Sequence, residues 1–201
     1  RESSTKIDLI TSLMPKIDYM IIGGAMANNF FKHQGFQVGK SKIEENIDSV
    51  IKNIIATASK NNCKLVLPID VVTAKTFEDQ GVNKTLDQVE DDEMILDIGT
   101  ETIASISKIL QESKTVFWNG PFGFFEKDSF ANGTKEISNT VADLTKQGKL
   151  VSIAGGGDTF AAIKKSKREN EFTYISTAGG AFLEWLEGKV LPGLKVLEIK
   201  N

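Results

Sequence analysis

The chain has 201 residues, 40% of them hydrophobic and 8% aromatic, with a formal charge of −3 at pH 7. That length and apolar content support one full core, at most one domain with an appendage, and exclude a disordered or fibrous chain. The balanced charge argues against a nucleic-acid partner, and the single Cys63 excludes an intrachain disulfide or a multi-cysteine metal cluster. The most apolar stretch, residues 19–27, is far too short for a bilayer span, and Arg1-Glu2-Ser3-Ser4 lacks a signal-peptide pattern. A cytoplasmic protein with no membrane partner is the expectation, and a lone cysteine fits a reducing compartment.

In chain order, short apolar runs alternate with segments of helical period. Residues 19–22 read as a strand that breaks at Gly23-Gly24 and enters a helix ending near His33. Residues 44–60 predict a helix with Ile47, Ile51, Ile54 or Ile55, and Ala58 on one face. A strand over 64–67 follows. The polar segment 71–92, with Gly81 and an acidic cluster, reads as a long exposed connection. Strands are then predicted over 94–98, 115–118, 150–154 and 172–176, with helices over 101–111 and 134–147. Runs that are apolar on both faces and separated by helices predict a parallel sheet. The expected fold is α/β: a three-layer α/β/α, Rossmann-like domain with a mainly parallel six-stranded sheet, formed by residues 1–201 as a single unit.

Three glycine-bearing turns leave these strands: Ile22-Gly23-Gly24-Ala25, Ala154-Gly155-Gly156-Gly157-Asp158-Thr159 and Ser176-Thr177-Ala178-Gly179-Gly180. Glycine admits a ligand close to the backbone, and a following helix N-terminus favours phosphate, so the chain reads as a phosphate or nucleotide binder. Neither common nucleotide fingerprint is present. No Gly-Lys pair has a glycine five positions upstream, and Gly-x-Gly-x-x-Gly does not occur. At Gly155-Gly156-Gly157-Asp158-Thr159, Asp158 is either a carboxylate for Mg²⁺ or a helix N-cap. In Trp118-Asn119-Gly120-Pro121-Phe122-Gly123-Phe124-Phe125-Glu126 the aromatics either fill the core or wall a base, with Asn119 and Glu126 reaching ribose or phosphate.

Little else invites chemistry. His33 is the only histidine and belongs on a surface, Cys63 reads as a packed thiol, and the basic run Lys164-Lys165-Ser166-Lys167-Arg168 reads as a solvated face. Hydrolysis is poorly served. Phosphoryl transfer fits better, because it asks for positioning, cations and aligned N–H donors rather than a protein nucleophile.

These segments together resemble phosphoglycerate kinase, specifically its C-terminal, nucleotide-binding half. The resemblance runs from Ser4-Thr5-Lys6 through the Gly23-Gly24 turn, Leu67-Pro68-Ile69-Asp70, Leu96-Asp97-Ile98-Gly99, Trp118-Asn119-Gly120-Pro121, Phe125-Glu126 and Gly155 to Thr159, and on to Leu183-Glu184-Trp185-Leu186-Glu187-Gly188. It implies transfer of a phosphoryl group between 1,3-bisphosphoglycerate and MgADP, giving 3-phosphoglycerate and MgATP, as in glycolysis. By the same resemblance Lys6 contacts the nucleotide phosphates and the migrating group, and Asp158 orients the Mg²⁺. Thr159 meets phosphate oxygens, and Gly155, Gly156 and Gly157 admit them closely. Asn119 lies near the phosphates and Glu126 holds the ribose, while Gly23, Gly24, Pro121 and Phe124 border the adenosine. Gly179 and Gly180 open a helix facing the transferred group.

The family's N-terminal domain, with its basic pocket for the phosphoglycerate, has no counterpart in this sequence. The resemblance therefore implies a chain that binds adenine nucleotide as a monomer but needs the other half for turnover. The alternative is a stand-alone nucleotide-binding module. Departures from the family pattern are Arg1-Glu2-Ser3 at the end of the family's Gly-Gly-x-Lys-Val, with Glu2 in place of the lysine, alanine at Ala25 and Ala178, Lys42 where an apolar residue often borders the adenine, and Thr100 in place of a frequent proline.

Overall fold

The computed structural model describes residue 8 and residues 10–177. Its strands are β1 (Tyr19–Ile21), β2 (Lys64–Val66), β3 (Asp70–Ala74), β4 (Val82–Thr85), β5 (Met94–Ile98), β6 (Thr115–Asn119), β7 (Val151–Gly155) and β8 (Tyr174–Ser176). Five helices connect them: α1 (Gly24–His33), α2 (Asp48–Lys60), α3 (Thr100–Gln111), α4 (Asn132–Lys146) and α5 (Gly157–Lys164). The α/β class expected from the sequence is what forms.

Each helix follows from its apolar spacing. In α2 the buried residues are Ile51, Ile54 and Ala58, with Asp48 in the first turn and Lys60 in the last, signs that suit the helix dipole. Ile54 is the inward member of its pair; Ile55 stays 41% exposed. Helix α3 buries Thr102, Ile106 and Leu110 at strict i, i+4 spacing, and α4 buries Ile137, Val141, Ala142 and Leu144. Two cores result. One joins Phe30 and Phe31 of α1 to Ile51 and Ile54 of α2 and to Val71, and the other joins α3 and α4 to Val116, Trp118 and Ala154 of β6 and β7. Among the described residues no helix is long and apolar enough to cross a membrane.

All six expected strands are present, but the described residues hold eight, in three hydrogen-bonded ladders rather than one six-stranded sheet. Strands β1 and β2 pair in parallel, as do β6, β7 and β8 in that order. The third ladder, β4-β3-β5, is antiparallel, so β5 leaves the parallel set to which its apolar pattern assigned it. The segment expected to be an exposed connection thus contains β3 and β4. Most of its polar residues are exposed, but Thr73 is buried, and Glu93, which follows the segment, is buried because it is partnered: it takes hydrogen bonds from the Thr73 hydroxyl at 2.6 Å, the Lys84 ammonium at 2.8 Å and the Glu90 N–H at 2.8 Å. Burial works to raise the Glu93 carboxyl, but these donors hold it below its ordinary value.

Two more carboxylates serve helix starts from a distance. Asp70 lies beside the first turn of α3 and accepts the N–H groups of Glu101 and Thr102, the Thr102 hydroxyl and the Asn83 amide. Burial opposes its charge, yet those bonds outweigh it and keep Asp70 below its usual range. Thr100 donates its N–H to the Asn83 side-chain oxygen at 2.9 Å. Asp97 of β5 accepts the Gly133 N–H at 2.9 Å in the first turn of α4 and the Ile98 N–H at 2.8 Å. Here burial wins, and the carboxyl is pushed up to about 7.

Candidate functional site

The carboxyl ends of the parallel strands bring the sequence's glycine turns together. Asn119, the last residue of β6, stands opposite Gly155 of β7, which stands opposite Ser176 of β8, so three turns begin on one row. Hydrogen bonds then tie the turns to each other. The Asn119 amide donates to the Gly155 carbonyl at 2.8 Å, the Gly120 N–H to the Thr159 hydroxyl oxygen at 2.7 Å, and the Gly156 N–H to the Ser176 carbonyl at 2.9 Å. The turn after β1 joins from the other side. A side chain at Gly23 would lie 2.8 Å from the Phe122 ring, and one at Gly24 would face the Pro121 carbonyl at 3.8 Å.

Gly156 is the N-cap of α5, with φ of +105° and ψ of 145°, a conformation that a side chain would strain. The Asp158 N-cap alternative is thereby excluded: Asp158 lies inside the first turn, exposed, and makes no cap hydrogen bond. Among the described residues its carboxylate has no hydrogen-bond or ion-pair partner. The leading N–H groups of α5 lack intrahelical acceptors, so a hard carboxylate and an anion-attracting helix end lie side by side. Thr159 is 1% exposed; its hydroxyl accepts the Gly120 N–H and keeps one proton to donate.

The aromatic segment divides between core and site. Trp118 and Phe125 are buried, and Trp118 packs against Phe122 and Phe172 with ring centroids 5.7 and 6.2 Å apart. Phe124 is half-buried, its N–H bonded to the Leu96 carbonyl at 2.8 Å and its ring 4.9 Å from that of Phe77. Phe77, in the β3–β4 turn, extends the same apolar wall; sequence reading passed over it because it lay in a polar stretch. Glu126 is exposed on this loop with no partner among the described residues. Pro121 sits between the two turns, half-buried.

His33 ends α1, the helix that Gly24 opens, and its Nδ1 lies 3.7 Å from Asp48. Cys63 is buried in the first core, where loss of water and the nearby Asp18 push its thiol up to about 11. The basic run is not simply solvated: Lys165 bonds Phe125 and Asp128, and Arg168 pairs with Asp143 and Glu171. Lys42 is exposed, and its carbonyl accepts the Asn28 amide at 3.0 Å. Lys6, Gly179 and Gly180, together with Glu2 and Ala178, lie outside the described residues. No group of three or more His, Cys, Asp or Glu among the described residues could hold a metal alone.

The phosphoglycerate kinase family model matches residues 1–189. Phosphoglycerate kinase of Zymomonas mobilis is 49% identical over 197 residues, covering 97% of this chain and 50% of that protein. That of Methylorubrum extorquens strain PA1 is 48% identical over 200 residues, covering 98% and 50%. Among solved structures, phosphoglycerate kinase from Coxiella burnetii superposes with a TM-score of 0.85 at 41% identity, over 96% of this chain and 49% of that one. The Pyrococcus horikoshii OT3 enzyme gives 0.67 at 26% identity over the same shares. The chain spans about half the length of the curated relatives it matches. With that match along nearly its whole length, the chain belongs to the phosphoglycerate kinase family.

Proposed function

We propose that this chain is the C-terminal, nucleotide-binding half of an ATP:3-phosphoglycerate phosphotransferase, acting in glycolysis as a cytoplasmic monomer. One observation carries the reading: the strand-end turns at Asn119, Gly155 and Ser176 are cross-bonded beside the N-terminus of α5, with the Gly23 turn packed against Phe122 of the same loop. An open α/β sheet binds ligands at that edge.

In this reading the leading amides of α5, with Gly155, Gly156, Gly157 and Thr159, receive the phosphates of ADP or ATP. Pro121, Phe124, Gly23 and Gly24 border the adenosine, Asn119 lies by the phosphates, and Glu126 holds the ribose. A Mg²⁺ ion fits the donor set, because Asp158 offers one exposed, unpartnered carboxylate and magnesium is ordinarily held by one or two carboxylates plus substrate phosphates. When bound, it would neutralise phosphate charge. By resemblance Lys6, Gly179 and Gly180 face the migrating group. The nucleophile in the ATP-consuming direction is a carboxylate already ionised at neutral pH, so no general base is needed. The remaining task is to hold donor and acceptor in line. The pocket for 3-phosphoglycerate or 1,3-bisphosphoglycerate is assigned to the family's other half, and turnover is expected only when both halves are joined.

Calorimetric titration of the 201-residue chain with MgADP tests the reading. Binding on the order of 0.1 to 1 mM is expected for an open half-site. Absence of both heat and a thermal shift at several millimolar nucleotide would refute it. Strong turnover of phosphoglycerate by the purified chain alone would refute the placement of the acceptor pocket.

A further inference from the structure

We propose that Lys165 is a positioning residue for the nucleotide's base and ribose, holding the 120–128 loop against the helix that receives the phosphates. The inference rests on the nucleotide reading above. Lys165 is the first residue beyond α5. Its ammonium donates to the Phe125 carbonyl at 2.6 Å and to Asp128 Oδ1 at 3.1 Å, two acceptors that bracket Glu126.

The carbonyl bond matters more than the ion pair. Asp128 is almost fully exposed, and such pairs contribute little, whereas the Lys165 side chain, 34% exposed, makes a charge-assisted bond to a carbonyl. The Phe125 carbonyl belongs to the planar peptide leading into Glu126, so holding that oxygen orients the peptide from which the Glu126 side chain departs. The Phe125 side chain is itself buried against Ala162 of α5 and Ala131. Helix α5 therefore grips Phe125 through both ring and backbone.

The loop's other anchors lie on different elements. Phe122 donates its N–H to the Thr134 hydroxyl in α4 at 3.0 Å, and Phe124 donates to Leu96 in β5. Among the described residues, α5 and Lys165 hydrogen-bond the loop at two places, Gly120 through Thr159 and Phe125 to Asp128 through Lys165. The first anchor sits by the phosphate turn. The second sets the spacing between that turn and the residues assigned to the adenosine, which a rigid nucleotide site must keep constant.

Lys165→Met removes the donor and keeps the aliphatic stem. Binding of MgADP and of magnesium tripolyphosphate, which carries phosphates without base or ribose, would be compared in the 201-residue chain. The variant should bind MgADP about three- to tenfold more weakly, a fraction of one charge-assisted hydrogen bond because the positioning is indirect, with tripolyphosphate affinity unchanged. Amide exchange in residues 122–128 should quicken. Equal weakening of both ligands would reduce Lys165 to general stability and overturn the proposal. Unchanged MgADP binding in the variant, beside clear binding by the unsubstituted chain, would overturn the positioning role alone. Failure of the unsubstituted chain to bind MgADP would instead bring down the nucleotide reading, and the proposal with it.

Discussion

Replacing Asp70 by Asn probes how a strand residue holds a helix 30 positions away. The carboxylate takes four hydrogen bonds: Oδ1 from the Thr102 N–H at 2.8 Å and the Thr102 hydroxyl at 2.6 Å, Oδ2 from the Glu101 N–H at 3.0 Å and the Asn83 amide at 2.9 Å. An asparagine amide must turn its NH₂ toward one of these donor pairs. The less damaging choice is the Oδ2 side, where Glu101 is exposed and Asn83 can shift, although Asn83 is itself held by the Thr100 N–H. Two charge-assisted bonds at roughly 1.5 to 3 kcal/mol each are lost, and water and rearrangement recover part of that. The net expectation is a loss of about 2 to 4 kcal/mol at pH 7, including the anion's interaction with the α3 dipole. Asp70 is held below its ordinary 3.8, so its contribution is fully present above that pH and disappears as pH falls through the lowered value. Asparagine does not titrate, so the gap between the proteins should narrow below pH 3.8. Urea unfolding followed by circular dichroism at neutral and acid pH measures both effects, with an unchanged m value as the control. A loss under about 1 kcal/mol at neutral pH, or a gap undiminished in acid, would refute the cap argument.

Asp97 should behave oppositely. Its carboxyl is raised from 3.8 to about 7, so the folded state favours the protonated form and loses stability as pH rises between those values. Asp97→Asn should flatten that slope, and urea midpoints from pH 4 to 8 that decline in parallel for both proteins would contradict it. Asp158→Asn should leave the melting temperature unchanged while weakening the magnesium-dependent part of nucleotide binding, measured as ADP affinity with and without Mg²⁺; a sharp fall in stability would return Asp158 to a structural role. Cys63, with its thiol raised to about 11 and buried, should resist alkylation at neutral pH until the chain unfolds, and rapid labelling of the native protein by iodoacetamide would show that the site is open.

The local and periodic features of this chain are legible in its sequence. Spacing alone located α2, α3 and α4 and six strands, because each is a run whose burial depends on its own neighbours in sequence. The glycine turns were legible for the same reason, since Gly23-Gly24 and Gly155-Gly156-Gly157 leave apolar runs and enter helices. The order of short motifs then disclosed the family. What remained hidden depends on partners far apart in the chain. β4, with the sequence Val-Asn-Lys-Thr, shows no apolar alternation, and only its pairing with β3 and the Lys84–Glu93 bridge make it a strand. Asp70 and Asp97 are helix caps that no local cap rule can find, being supplied across 31 and 36 positions. Ile54 and Ile55 were equivalent until the packed face chose between them. Lys165 looked like one charge in a basic run until its bond to Phe125, 40 residues upstream, tied α5 to the aromatic loop. Sequence periodicity encodes which face of an element is apolar; which elements meet, and which polar atoms satisfy one another there, is decided only when the tertiary structure closes.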